Sequence, residues 1–229
     1  MKLTREVVKV TMSQSEGEAF LKVAAMAQLD SFAVTPDQLG TNVGAALSIT
    51  ASSNARHGAL MKAIDTIQQE EPDTKIIIFA NTSYGGYQSA KLALELFGKK
   101  HCHISDTTHT VTQQNEIISW FRHVDLTEEA KARPRILLLS FEQAAGHNLQ
   151  TACHNVILYD PYYSCGDAVA DASVEEQAIG RVMRIGQTCN VKCTRIEVRG
   201  PNNEQCLDHY IINRNLDENV LAAATSNFD

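Results

Sequence analysis

The sequence predicts a doubly wound α/β domain, a parallel sheet with helices on both faces. Two observations lead there. Segments 75–80, 135–140 and 155–160 are short runs rich in Ile, Leu and Val, the composition of strands covered on both sides. Segments with apolar residues at helical spacing alternate with them.

Taken in order, residues 5–10 alternate apolar and polar, as a short strand does. Residues 14–29 place Phe20, Val23, Ala24, Ala27 and Leu29 on a helical face. Residues 30–51, rich in Gly, Thr, Asn and Ser around Pro36, read as a linker or ordered loop. Residues 53–69 return to helical spacing with Leu60, Ile64 and Ile67. Strand 75–80 leads to helix 87–97, stopped at Gly98. Strand 101–105 leads to helix 112–121, with Ile117, Ile118 and Phe121 inward. After strands 135–140 and 155–160, a helix is expected with Ser173 as N-cap and Glu175 and Glu176 in its first turn. Strand 192–198 and helix 205–213 follow. Ligands of such sheets sit at the carboxyl ends of the strands, here Thr82-Ser83, residues 140–148 and Asp160-Pro161.

A length of 229 residues suffices for one sizeable α/β domain. No apolar run approaches the ~20 residues of a membrane span, so a soluble intracellular protein without a membrane partner is expected. A net charge of −7 argues against a free-standing nucleic-acid binder. Basic residues still gather at Lys131, Arg133 and Arg135, and at Arg181, Arg184, Lys192 and Arg195. The six cysteines include no C-x-x-C pair and read as reduced thiols. Cys153-His154 and His101-Cys102-His103 are adjacent residues, which point to opposite faces of a strand. No metal site is expected.

Residues 177–187, Gln-Ala-Ile-Gly-Arg-Val-Met-Arg-Ile-Gly-Gln, carry the most chemistry. At about 100° per residue, Gln177, Gly180, Arg181 and Arg184 share one helical face, opposite Ala178, Ile179, Val182 and Met183. Two guanidiniums beside a Gln and a Gly suit a polyphosphate, because Arg keeps its charge and presents a planar fork of donors.

The string resembles motif VI of the superfamily-two helicase-like ATPases, above all the Swi/Snf-type DNA translocases with their Gln-x-x-Gly-Arg-x-x-Arg-x-Gly-Gln pattern. Every fixed position matches: Gln177, Gly180, Arg181, Arg184, Gly186 and Gln187. Fainter similarities accompany it. Residues 75–81 resemble motif IV. Residues 138–149 resemble motif V, keeping Gly146, Asn148 and Leu149 but with Ala144-Ala145 where the family has glycines. Residues 105–121 resemble a further segment, with Thr107 and Gln114 in place of its usual Gly and Arg. Asp160-Pro161-Tyr162-Tyr163 resembles the step before motif VI, followed by an inserted acidic stretch, 164–172, expected to be a surface loop. No G-x-x-x-x-G-K-[ST] phosphate loop occurs.

The resemblance implies a RecA-like second lobe over residues 52–215, an interlobe extension over 1–51 and a tail over 216–229. It implies Arg181 and Arg184 as arginine fingers, and Gln177, Gly180, Gly146 and Asn148 around the nucleotide. Ser83 and Ser140 are the implied DNA-backbone contacts. ATP with Mg²⁺ would be held mainly by a separate first lobe. The implied partners are that lobe and double-stranded DNA, bare or on nucleosomes, in nuclear chromatin remodelling or DNA repair. The lost motif V glycines leave open a non-catalytic remnant acting as an interaction module.

Overall fold

The computed structural model describes residues 1–104, 109–122, 134–144, 149–164 and 166–225. The strands are β1 Leu3–Thr11, β2 Ile76–Ala80, β3 His101–His103, β4 Ile136–Ser140, β5 Asn155–Leu158 and β6 Val191–Arg199. They form one sheet in the order β1-β6-β5-β2-β4-β3, every pair parallel. The helices are α1 Gln14–Met26, α2 Pro36–Leu39, α3 Val43–Ala51, α4 Asn54–Glu70, α5 Gly86–Leu96, α6 Val111–Arg122, α7 Ala168–Gly180, α8 Leu207–Asn215 and α9 Glu218–Thr225.

Strand periodicity sorts the core into two layers. Ile76, Ile78, Leu138 and Ile157 face one side and pack under Leu60 and Ile64 of α4 and Ala90 and Leu94 of α5. Ile77, Phe79, Leu137, Leu139, Val156 and Leu158 face the other, against Ile118 and Phe121 of α6 and Ala178 and Ile179 of α7. All residues of β2, β4 and β5 are buried, as apolar runs in a parallel sheet require. A third cluster joins Phe20 of α1, Val43 and Leu47 of α3 and Ile211 of α8 to Val198 of β6.

Three expectations need correction. Residues 36–51 are helical, not loop. Thr35 caps α2 reciprocally with Gln38, and Pro36 opens the first turn, where its missing N–H costs nothing. Turn-forming residues here serve as caps, and the apolar face of α3 supplies the burial that propensity does not reveal. Residues 164–172 are not simply a surface loop: Asp167 accepts from the N–H groups of Val169 (2.8 Å) and Ala170 (3.3 Å) and starts α7. Glu175 therefore lies mid-helix and buried rather than in a first turn behind Ser173. In the stretch read as a tail, α9 packs on α7, with Ala224 buried and its carbonyl accepting from the Ser173 hydroxyl at 3.4 Å.

Candidate functional site

Helix α7 returns from the carboxyl edge of the sheet to its amino edge. At its start Asp171 accepts from the Ser164 N–H (3.0 Å); one turn on, Glu175 accepts from the Tyr162 N–H (2.9 Å). Glu176 then pairs with Arg5 of β1 at 2.5 Å. The helix ends at Gly180, with Arg181 as C-cap. A single helix through 177–187 is thus not formed; Arg184 lies in the turn beyond. The two-faced division survives, because the Val182 and Met183 N–H groups both bond the Ile179 carbonyl at 3.0 Å and keep the chain winding. Ala178, Ile179 and Val182 are buried, whereas Gln177 and Arg184 are exposed. A Cβ built on Gly180 would meet nothing within 4 Å, so this face stands open.

Gln187 holds the turn closed. Its Nε2 donates to the carbonyls of Gln150 and Cys153, both at 2.8 Å, and of Val182 at 3.3 Å, while its Oε1 accepts from the Cys189 N–H at 3.0 Å. Gly186 takes φ +99°, a conformation that favours glycine. The Leu149 N–H donates to the Arg181 carbonyl at 3.0 Å, tying the end of the motif V segment to the first arginine.

The arginines around this turn differ in their partners. Arg195 is buried and pairs with Glu175 at 2.9 Å, and Arg135 pairs with Asp73 at 2.9 Å. Lys192 lies 3.5 Å from Glu70. These residues are engaged within the fold and do not form the free basic strips their spacing suggested; Lys131 and Arg133 lie outside the described residues. Arg181 is different in forming no ion pair among the described residues; its Nε is buried without a hydrogen-bond acceptor there, as are the Nε atoms of Arg195 and Arg214, which pair through other nitrogens. Partial burial, then the neighbouring Arg184 guanidinium, pull Arg181 below the ordinary arginine pKa. Two crowded cations, one with an unused buried donor, beside an open glycine fit a polyanion such as a nucleotide's phosphates. Among the described residues no three His, Cys, Asp or Glu side chains group to hold a metal ion.

The other expected site residues lie apart from this turn. Ser83 is exposed after β2, its N–H donating to Asn81 Oδ1 at 2.9 Å. Ser140 is buried at the end of β4, where its hydroxyl accepts from the Gln143 N–H at 3.2 Å. It caps a turn there, with little of its surface exposed. Ser140 ends β4 and Ser83 follows β2, both at the carboxyl edge of the sheet, whereas the arginines lie past the end of α7, near the residues that begin β5 and β6. The fold therefore does not gather all the expected residues at one edge. Gly146 and Asn148 lie outside the described residues.

Sequence reasoning missed a buried polar system at the carboxyl edge. Asp160 accepts from the Asn81 N–H at 2.9 Å, and a Cβ on Gly86 would stand 2.0 Å from its Oδ2. Burial pushes its carboxyl up to about 7, against the pull of Arg56. Arg56, fully buried, donates to the carbonyls of Thr50, Tyr159 and Ile196 and pairs with Asp208. The residues involved are as far apart as 56 and 208, so no local signal could reveal them.

Comparison with known proteins agrees with the fold. Residues 58–186 match the family model of the helicase conserved C-terminal domain. A putative SWI/SNF-related matrix-associated actin-dependent regulator of chromatin from Arabidopsis thaliana is 29% identical over 69% of the chain. The DNA repair protein RAD5 of Saccharomyces cerevisiae is likewise 29% identical over 69%. The chain spans only 16% and 13% of these relatives' lengths. The Sulfolobus solfataricus SWI2/SNF2 ATPase core, solved with double-stranded DNA, superposes with a TM-score of 0.62 at 16% identity, covering 86% of this chain and 41% of that one. The C-terminal part of the Fun30 ATPase domain gives 0.61 at 13% identity, covering 86% and 85%. Among the described residues no helix is long and apolar enough to cross a membrane. The chain belongs to the helicase conserved C-terminal domain family, as a RecA-like C-terminal lobe of the Swi/Snf type.

Proposed function

We propose that this lobe is the second half of an ATP-driven translocase on double-stranded DNA, acting in chromatin remodelling or DNA repair in the nucleus. The observation that carries the reading is the Arg181–Arg184 turn, held by Gln187 and with a buried Arg181 donor that has no acceptor among the described residues. ATP with Mg²⁺, bound by a first RecA-like lobe, supplies the phosphoryl group and the metal charge. Arg181 and Arg184 donate N–H groups to the negative charge that develops on the phosphoryl oxygens. Gln177 orients the helix end towards the nucleotide, and Gly180 lets a ligand approach the backbone. Gln187 and the Leu149 N–H fix the turn beforehand, so the guanidiniums need little reorganisation. Gly146 and Asn148, which precede Leu149 in the sequence, are assigned to nucleotide binding. The exposed Ser83 contacts a DNA phosphate, and residues 1–51 connect this lobe to the first while contributing β1 to its sheet.

The test is DNA-stimulated ATP hydrolysis by the full-length parent, or by this chain mixed with a matching first lobe, with Arg184→Ala alongside. An arginine finger is worth roughly 10³–10⁵ in rate, so the variant should lose stimulated turnover by about that factor. Turnover indifferent to Arg184, or absent from the wild type, would instead favour a non-catalytic interaction module.

A further inference from the structure

The first residues of β1 hold the arginine turn at both of its roots. Helix α7 leads into the turn, and its start and middle are fastened to the core. Asp171 pairs with Arg214, and Glu175 pairs with Arg195 at 2.9 Å and accepts from the Tyr162 N–H. Nearer the helix end the fastening is a single hydrogen bond. Glu176, directly before Gln177, accepts from Arg5 at 2.5 Å. Its other oxygen, Oε1, is buried without a hydrogen-bond partner among the described residues and lies 4.0 Å from Arg195. Past the turn, the Asn190 side chain accepts from the Lys2 N–H at 2.9 Å, and the Val191 N–H donates to the Lys2 carbonyl at 2.9 Å. Lys2 and Arg5 thus grip the chain on either side of Arg181 and Arg184.

We propose that Arg5 is a positioning residue for the two arginines: through Glu176 it sets where the end of α7, and with it the turn, stands. This role rests on the arginine turn acting on a nucleotide, as proposed above. A carboxylate taken out of water needs a partner charge and hydrogen bonds. Without the Arg5 guanidinium, Glu176 regains them by moving outwards into solvent, and the helix end moves with it. Gln177 is the next residue and Arg181 lies little more than one turn on, so the shift passes directly to the guanidiniums. A catalytic group must be held to within about 0.5 Å, and a misplacement of about 1 Å costs roughly 100-fold in rate. The pair is shielded enough to act as a fixed link, its side chains being 33% and 10% exposed, so salt screens it less than an ion pair in open solvent. Lys9 shares the Arg5 face of β1 but is exposed, and it provides the comparison for loss of charge alone.

The test is DNA-stimulated ATP hydrolysis by the full-length parent carrying Arg5→Met, Arg5→Lys, Asn190→Ala or Lys9→Met, with thermal unfolding of each sample and Arg184→Ala alongside. We expect Arg5→Met to lower kcat by about 10–100-fold. The KM for ATP should stay within about twofold of wild type, because the displaced contacts are made in the transition state. Arg5→Lys keeps the charge and should recover much of the rate, while Lys9→Met turns over as wild type. Asn190 is exposed, so Asn190→Ala loosens the other root without opening the core, and it should lower kcat several-fold. Wild-type kcat in both Arg5→Met and Asn190→Ala, while Arg184→Ala loses turnover, would overturn the positioning role and leave the arginine reading standing. A loss in Arg5→Met that only tracks its unfolded fraction, or an equal loss in Arg5→Lys or Lys9→Met, would overturn it too. Wild-type turnover in Arg184→Ala would sink the nucleotide reading and the positioning role together.

Discussion

Arg56 and Arg181 serve opposite purposes. Arg56 has no solvent exposure; it donates to three backbone carbonyls and pairs with an equally buried Asp208. Arg181 is partly exposed, and its buried Nε has no acceptor among the described residues. Burying a guanidinium is costly unless partners replace water, so Arg56 with its full set fastens α4 to the ends of β5 and β6. Arg181 lacks that set, and the proposed function assigns its complement to an anion from outside the chain. The difference separates arginines that make the fold from arginines the fold presents.

If this contrast is right, Arg56→Met leaves Asp208 buried and unpaired and should cost about 3–5 kcal/mol in urea unfolding. Retention of wild-type stability would break the comparison at its structural end. Gly86→Ala drives a methyl group into the Asp160 carboxylate. It should cost about 1–3 kcal/mol in the same measurement. Gln187→Ala removes the amide that bonds three carbonyls of the turn. It should cost about 1–2 kcal/mol and also slow DNA-stimulated hydrolysis in the parent, because the arginines lose their fixed geometry.

A further prediction concerns pH. Asp160 is held up at about 7, above its ordinary 3.8. Between those values the folded protein keeps a proton that the unfolded chain releases. Its contribution to stability is therefore full below about pH 4 and is lost as pH rises towards about 7. Asp160→Asn should flatten that part of the stability profile, by up to about 1.4 kcal/mol per pH unit. An unchanged profile would mean that the carboxylate is ionised in the fold.

Much of the fold was legible because it rests on local pattern. The apolar runs at 76–80 and 136–140 announce strands buried on both faces, and Ser53, Gly98 and the helical spacing of Leu60 and Ile64 mark real helix features. Residues 36–51 were not legible, since their turn-rich composition hid caps and their helices form against α1 and α8, which sequence proximity does not reveal. In the site, the division of residues 177–184 into buried and open faces followed from periodicity alone. The end of α7 at Gly180, the burial of Ser140 and the clamp on Gln187 depend on contacts between distant segments.

The most direct test of the central claim is the turnover number of Arg181→Ala in the full-length parent, with ATP and duplex DNA saturating and thermal unfolding run on the same sample. An arginine presented to an outside anion predicts a loss of about 10³-fold or more at wild-type melting temperature. Wild-type turnover, or a lowered melting temperature that accounts for the loss, would contradict it and return Arg181 to the class of Arg56.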